Sequence, residues 1–207
     1  METSRALEDI SIKTPKTFLF SNFINQIEFP LILKSKYSVL TKDIYIIKNE
    51  SQLELLKKSI EKPDDYIIQQ YVGSIDDEYT TTVYRSNNRL EVISFKRKLT
   101  GGMTSFATIA NEKVLYDYAK NIAESFNLNG CINIQSRKSH KEFYIFEINP
   151  RFSSTVFIRN HFGFQDVLWW LNDIFDKDII NLKQTKIESN GSAVLGYQYK
   201  FFDQEEI

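Results

Sequence analysis

The chain is poor in several residue types, and each shortage excludes a class of protein. Its 207 residues include one cysteine, Cys131, and two histidines. A single cysteine excludes an internal disulfide, so we expect a buried structural thiol in a strand and a reducing, cytoplasmic setting. His140 and His161 do not form an acid–base pair pattern, and we interpret both as structural.

The chain also lacks a strong net charge and a long apolar run. Its formal net charge is −1, so we expect neither nucleic acid nor an anionic membrane as a partner. The longest apolar run, near residues 167–171, is too short to span a bilayer, and residues 1–5 lack a signal-peptide pattern. A hydrophobic content of 42% in 207 residues suits one domain with two lobes.

The periodicity of apolar residues predicts an α+β fold. Strands are predicted at residues 30–34, 44–48, 66–72, 79–85, 90–97, 131–135 and 143–152, and helices at 4–10, 51–60, 111–126 and 166–175. Ser51 and Asn111 are the predicted N-caps of the two middle helices, Pro63 is predicted to end the first of them, and Asn129–Gly130 to stop the second. The face that this second helix buries is predicted to carry Val114, Leu115, Tyr118, Ile122 and Phe126. We expect Trp169 and Trp170 to serve packing.

A polar cluster is predicted where two of these strands form a hairpin. Side chains alternate along a strand, so Glu147 and Asn149 share a face, and the turn at 138–142 brings Gln135 near Glu147. The opposite face is predicted to bury Tyr144, Phe146 and Ile148. Carboxylate and amide oxygens suit a hard cation such as Mg²⁺, and Arg151 lies where it can reach a phosphate or an oxyanion. The alternative is an ordinary amphipathic hairpin with solvated polar residues.

The arrangement Q…E-x-N-P-R-x-S, from Gln135 to Ser153, resembles the metal-binding signature of ATP-grasp enzymes, in particular the carbamoyl-phosphate-synthase-like and pyrrolysine-biosynthesis ligases. Ser154 also matches. The resemblance implies that Mg²⁺, or Mn²⁺ as an alternative, is bound by Gln135, Glu147 and Asn149. It places Arg151 against the γ-phosphate of ATP or an acyl-phosphate intermediate.

The resemblance also implies a fold in which two α+β lobes clamp a nucleotide. Residues 1–70 are then an N-terminal helix tail with the small lobe, and residues 71–207 are the large lobe with the metal hairpin. The hinge at 67–73 implies adenine contacts from Gln70, Tyr71 and Val72. Glu78 is implied to accept hydrogen bonds from the ribose hydroxyls, and its alternative is an exposed turn carboxylate.

Several basic residues acquire roles from the same resemblance. Lys34, at the end of a small-lobe strand, is implied to reach the ATP phosphates, and Lys36 follows it in the loop 35–43. This loop contains no glycine. Phosphate-binding loops of the family are usually rich in glycine, because a residue without a side chain lets the backbone amides approach the phosphate closely. Arg97 is implied to lie near the acceptor substrate, beside the turn at 101–104.

The implied activity is that of an ATP-dependent carboxylate–amine ligase acting on a small carboxylate. Such ligases carry a preceding α/β domain, which these residues do not include, so we expect a larger or split enzyme with a partner chain and little activity in isolation. The alternatives are a non-catalytic nucleotide-binding or regulatory module and a relic that binds nothing. The sequence does not identify the carboxylate or the nucleophile.

Overall fold

The computed structural model describes residues 2–37, 44–175 and 186–196. These residues form two antiparallel sheets with helices packed against them, as the predicted α+β class requires. Within these three ranges, no helix combines the length and the apolar character that crossing a membrane demands. Positions 38–43 of the predicted phosphate loop lie outside the described residues.

The small sheet has four strands in the order β1-β4-β2-β3. They are β1 (Thr17–Leu19), β2 (Leu31–Ser35), β3 (Ile44–Ile47) and β4 (Tyr66–Gln70). Helix α2 (Glu50–Ser59) covers one face, and its Leu53 packs against Leu33 and Ile68. The other face carries Lys34, because residues alternate along β2.

The cap of α2 differs from the prediction. Asn49 is the N-cap, and its side-chain oxygen accepts a hydrogen bond from the Gln52 N–H at 3.0 Å. Ser51 lies inside the first turn, where its backbone is already helical. The helix ends at Ser59, and Pro63 instead begins a short 3₁₀ turn, Pro63–Asp65.

The large sheet has six strands in the order β10-β7-β6-β5-β8-β9. They are β5 (Glu78–Arg85), β6 (Leu90–Thr100), β7 (Met103–Ile109), β8 (Gly130–Ser139), β9 (Glu142–Asn149) and β10 (Ser192–Val194). The sequence reading missed β1, β7 and β10. Two of these are three-residue strands, too short for a periodic pattern, and β7 mixes small polar and apolar residues.

Helices α1 (Glu2–Asp9) and α3 (Lys113–Ser125) cover one face of the large sheet. Leu7 of α1 packs with Ala119 and Ile122 of α3 in this core, so the N-terminal helix lies on the large lobe although the predicted boundary groups it with the small one. The boundary at residue 70 stays a prediction.

The ends of α3 also differ from the prediction. Glu112 occupies the N-cap position, and the Asn111 amide instead donates to the Ser189 carbonyl at 2.6 Å. Val114 and Phe126 are 43% and 48% exposed rather than buried. The helix ends at Ser125, before the predicted stop at Asn129–Gly130, and Asn127 adopts a positive φ of 46°.

The other face of the large sheet is apolar at one end and polar at the other. Helices α4 (Val156–His161) and α5 (Asp166–Phe175) cover the apolar end, where Trp169 packs against Phe164 and Tyr84. Trp170 contacts the Phe152 ring at 5.4 Å, so both tryptophans serve packing as predicted. The polar end of this face, which α4 and α5 do not cover, carries Glu78, Arg97, Gln135, Glu147 and Asn149.

The β8–β9 hairpin contains an irregularity that changes which residues are buried. Gln135 pairs with Glu147, but the next residue, Ser136, pairs with Ile145, so Phe146 is an extra residue in β9. The buried residues before this bulge are therefore Phe143 and Ile145, at 1% and 2% exposure, rather than Tyr144. The side chain of Tyr144 instead donates its hydroxyl to Glu142.

Candidate functional site

A row of three charged residues crosses the polar end of the large sheet. Glu78 of β5 lies directly opposite Arg97 of β6 and Arg137 of β8. Directly paired residues of antiparallel strands share a face, so the two guanidinium groups flank one carboxylate. Glu78 is 3% exposed, which excludes the exposed turn carboxylate that the sequence left open.

Both oxygens of Glu78 are bound by arginines. The Arg97 Nη2 donates to Oε1 at 2.8 Å, and Arg137 donates to Oε2 from Nε at 3.1 Å and from Nη2 at 3.0 Å. Arg97 also donates to the Gln135 Oε1 at 3.0 Å, but its buried Nε has no hydrogen-bond partner among the residues that the structure describes. The row therefore links the predicted ribose, acceptor and metal residues and carries a net positive charge.

Arg137 is a candidate site residue that the sequence alone did not single out. It lies two residues after Gln135 on β8, so strand alternation alone places it on the same face. Its guanidinium carbon is 5.1 Å from the centre of the Tyr71 ring and 5.6 Å from that of Phe146. These contacts connect the predicted hinge, just after β4, to the β8–β9 hairpin.

The three predicted metal ligands converge at the end of the β8–β9 hairpin. The Gln135 Nε2 is 3.5 Å from the Glu147 Oε1, and the Asn149 Nδ2 donates to the same oxygen at 2.7 Å. The described part of the chain contains no cluster of three His, Cys, Asp or Glu side chains that would hold a metal unaided. One carboxylate and two amides supply oxygens that suit Mg²⁺, and such an ion takes its remaining ligands from phosphates and water.

Lys34 approaches this cluster from the small lobe. Its Nζ donates to the Gln69 Oε1 at 3.0 Å and to the carbonyl oxygen of Phe146, the bulge residue, at 3.3 Å. Burial lowers the pKa of Lys34, nearby Arg137 lowers it further, and Glu147 opposes both by favouring the charged ammonium. The structure thus brings the predicted phosphate residue next to the predicted metal ligand Glu147.

Gln69, rather than Gln70, faces this cleft. Ile32 pairs with Gln69 and Lys34 pairs with Ile67, so Gln69 and Lys34 share a face. The Gln69 amide donates to the Thr17 hydroxyl at 2.7 Å, which fixes its carbonyl oxygen towards Lys34. The predicted Gln70 lies on the opposite face of β4, where its Oε1 is 3.4 Å from the Lys16 N–H.

The remaining predicted nucleotide residues are spread along the cleft edge. The Tyr71 N–H donates to the Pro30 carbonyl at 3.3 Å, and Val72 is 7% exposed. Lys36 is exposed, and its N–H donates to the Asp65 carbonyl at 2.8 Å. The structure does not place the Lys36 side chain against any of the other predicted site residues that it describes.

Arg151 lies exposed just beyond β9. Its Nη1 donates to the Phe152 carbonyl at 3.1 Å, so the described conformation of this side chain depends on the turn that follows the strand. Ser153, in the same turn, is buried and bonds to the Thr155 hydroxyl at 2.7 Å. The basic side chains of the candidate site outnumber its two carboxylates, Glu78 and Glu147. This excess of positive charge suits a polyanionic ligand, and it comes from Lys34, Arg97, Arg137 and Arg151.

A cavity of about 370 Å³ lies mainly on the opposite face of the large sheet. Its lining includes Tyr79, Lys96 and Thr108, which pair with one another in a row on the α3 side. Arg97 contributes to the lining of this cavity, but the predicted metal ligands Gln135, Glu147 and Asn149 do not. The cavity is therefore distinct from the cleft between the two sheets.

Cys131 lies in β8 as predicted, but its thiol is only half-buried. Its Sγ donates to the Asp166 Oδ2 at 3.1 Å, and burial together with that carboxylate raises the pKa of the thiol. A raised pKa keeps the thiol protonated, which supports the structural role expected from the sequence.

One family model and two curated enzymes match parts of this chain. A family model described as "ATP-grasp in the biosynthetic pathway with Ter operon" matches residues 62–188, more than half of the chain. A D-alanine–D-alanine ligase from Petrotoga mobilis is 25% identical over 157 residues, which cover 67% of this chain and 52% of that ligase. The carbamoyl phosphate synthase large chain of Lachnoclostridium phytofermentans is 44% identical over 45 residues, which cover 22% of this chain and 4% of that protein.

Solved structures show the same fold. A biotin carboxylase from Campylobacter jejuni, in a complex named β-γ-ATP, superposes with a TM-score of 0.74 at 14% identity. The match covers 92% of this chain and 48% of that one. The chain thus spans about half the length of both the ligase and the carboxylase.

Proposed function

The chain belongs to the ATP-grasp family, and from this premise we propose that it is the ATP-binding part of a ligase that joins a carboxylate to an amine. In this proposal, Mg-ATP activates a small carboxylate as an acyl phosphate, and an amine-type nucleophile then takes the acyl group. The observation that carries the proposal is the hydrogen bond from Lys34 of the small sheet to the carbonyl of Phe146, the residue before Glu147 in the hairpin cluster.

We assign the triphosphate to the cleft between the two sheets. Lys34 would bind phosphate oxygens as a point charge, and Lys36 is a further candidate at the start of the loop. Gln135, Glu147 and Asn149 would hold Mg²⁺, with Mn²⁺ as an alternative. A bound ion would neutralise charge on the phosphates during transfer.

The adenosine moiety would lie along the hinge. Backbone groups of Tyr71 and Val72 are the proposed contacts of the adenine edge, and Glu78 is the proposed acceptor for ribose hydroxyls. Gln69 is a better placed side chain than Gln70, because it faces the cleft and already contacts Lys34.

Two arginines are the proposed catalytic groups. Arg151 would stabilise negative charge that develops on the transferred phosphoryl group. Arg97 would contact the acceptor or the acyl group. Its buried Nε supports this role, because it finds no partner among the described residues and a buried donor without a partner is costly.

The substrates would be bound partly by residues outside this chain. Support comes from the 52% coverage of the D-alanine–D-alanine ligase, since the remaining half of that ligase has no counterpart here. We propose that a preceding α/β domain, in the same or in a partner chain, completes the carboxylate site.

Calorimetric titration tests the nucleotide and metal assignments. The wild type should bind ATP more tightly with Mg²⁺ than without it, and Glu147→Ala with Asn149→Ala should remove the Mg²⁺-dependent gain. Glu142→Ala, an exposed carboxylate at the other end of the same hairpin, is the matched control. An equal Mg²⁺ effect in the wild type and the double variant would contradict the metal assignment.

A nucleotide-binding regulatory module without turnover is the second candidate. The observation that favours it is the absence of glycine from residues 35–43. Such a module would bind Mg-ATP in the titration but release no ADP with any carboxylate and amine, even when the missing domain is supplied.

A further inference from the structure

Arg159 of α4 is fully buried, at 0% exposure, and forms an ion pair with Asp166 of α5, which is 1% exposed. The Arg159 Nε lies 3.0 Å from both carboxylate oxygens, and Nη2 donates to Oδ2 at 2.6 Å. The carboxylate thus occupies one side of the guanidinium group, and the other side remains for different partners.

The remaining nitrogen of Arg159 holds the turn that follows β9. Its Nη1 donates to the Ser153 hydroxyl at 2.9 Å and to that of Thr155 at 3.3 Å. Ser153 comes two residues after Arg151, and its hydroxyl also bonds to Thr155 at 2.7 Å. One buried charge is therefore connected to the hydroxyls of Ser153 and Thr155.

A buried ion pair often contributes little stability compared with apolar residues of similar volume, but it accepts few alternative geometries. Its value here lies in the conformation that it imposes on the turn. Arg151 itself is exposed and contacts the Phe152 carbonyl of the same turn, so its direction depends on this backbone. The hydrogen bonds of Arg159 thus hold the turn that directly follows β9, the strand that carries Glu147 and Asn149.

We propose that Arg159 is a positioning residue that holds Arg151, through Ser153 and Thr155, in the direction needed to bind the terminal phosphate of ATP. The inference rests on the proposed function, because it assigns Arg151 to that phosphate. Arg159 does not contact the nucleotide in this proposal.

The test compares nucleotides with and without a terminal phosphate. Calorimetry measures the affinity of ADP and of the β,γ-imido analogue of ATP, both with Mg²⁺. Arg159→Lys should weaken binding of the analogue about tenfold, the scale of one charge-assisted hydrogen bond, and leave ADP binding nearly unchanged. Arg151→Ala should show the same selective loss.

A double-mutant cycle separates positioning from an independent effect. If Arg159 acts only through Arg151, the combined variant should bind the analogue no more weakly than Arg151→Ala alone. Additive losses would overturn the proposal.

Ser153→Ala provides a second variant, because it removes one hydrogen bond without exposing the buried charge pair. It should show a smaller loss with the same selectivity, so the proposal stays testable if Arg159→Lys does not fold. Ile122→Ala, in the α3 core on the other face of the sheet, is the control for destabilisation alone and should not alter the preference between the two nucleotides.

If Arg159→Lys lowered the affinity for both nucleotides equally, as a merely destabilised variant would, Arg159 would have a structural role only and the proposal would be overturned. A wild type that binds the analogue no more tightly than ADP would overturn the assignment of Arg151 to the terminal phosphate. A wild type that binds neither nucleotide would instead contradict the proposed function, so the two failures can be told apart.

Discussion

The Lys34 ammonium and the Phe146 carbonyl form a hydrogen bond of 3.3 Å that joins the small sheet to the large one. The bulge in β9 makes this bond available, because Phe146 has no paired residue on β8. The contact holds a cation beside Glu147, at the position where the triphosphate is proposed to bind.

Lys34→Met should weaken binding of Mg-ATP by about tenfold to a hundredfold, because one charged contact with phosphate is lost while the apolar stem remains. Calorimetric titration measures the change. Lys58→Met is the matched control, since it removes the same charge from an exposed position of α2. Equal affinities of Lys34→Met and the control would exclude Lys34 from the phosphate site.

The stability contributed by Lys34 should depend on pH. Burial lowers the pKa of Lys34 below 10.5, so between the folded and unfolded pKa values the unfolded chain binds more protons than the folded one. The free energy of unfolding of the wild type, relative to Lys34→Met, should therefore rise as the pH increases through the folded pKa towards 10.5. Denaturant unfolding of both proteins at several pH values between 7 and 10 measures this difference. A difference that falls with pH would contradict the direction of the pKa shift.

Glu78→Ala should strongly destabilise the large lobe. The change leaves Arg97, at 6% exposure, and the largely buried Arg137 without their shared carboxylate, and breaking a buried ion pair costs about 3–5 kcal/mol. Chemical denaturation measures the loss of unfolding free energy.

Glu142→Ala is the comparison for Glu78→Ala, because Glu142 pairs with Lys13 at the exposed end of the hairpin. Its effect should be much smaller, since water screens exposed pairs. Similar losses in the two variants would mean that the arginine–carboxylate row contributes no more than a surface pair.

The polar cluster at the hairpin was predictable because its members obey strand alternation. Gln135, Glu147 and Asn149 lie within two strands joined by a short turn, and the structure brings them together as the spacing requires. Arg137 was accessible to the same rule, since it follows Gln135 by two residues on the strand.

Other features depend on interactions that local sequence does not encode. Because of the bulge at Phe146, Phe143 and Ile145 are buried rather than Tyr144. No residue type in this part of the sequence indicates that a bulge is present. The choice of Gln69 over Gln70 follows from the register of β4 against β2, which a single strand pattern leaves open. The pairing of Arg159 with Asp166 joins two helices, and only the packed structure shows it.

The isolated chain should release little or no ADP, even if it binds Mg-ATP. Phosphoryl transfer depends on positioning every charge and on holding the carboxylate in line, and a missing group costs several orders of magnitude in rate. The match with the D-alanine–D-alanine ligase covers 52% of that ligase, and the proposal assigns part of the carboxylate site to a preceding α/β domain. A coupled assay of ADP release, with a panel of carboxylates and amines, measures turnover.

The Glu147→Ala, Asn149→Ala double variant is the control for the turnover assay, because any genuine ADP release must disappear with the proposed metal ligands. Turnover that appears only when a preceding α/β domain is supplied would support a ligase divided between two parts. Brisk substrate-dependent release by the chain alone would instead show that these 207 residues already contain a complete active site.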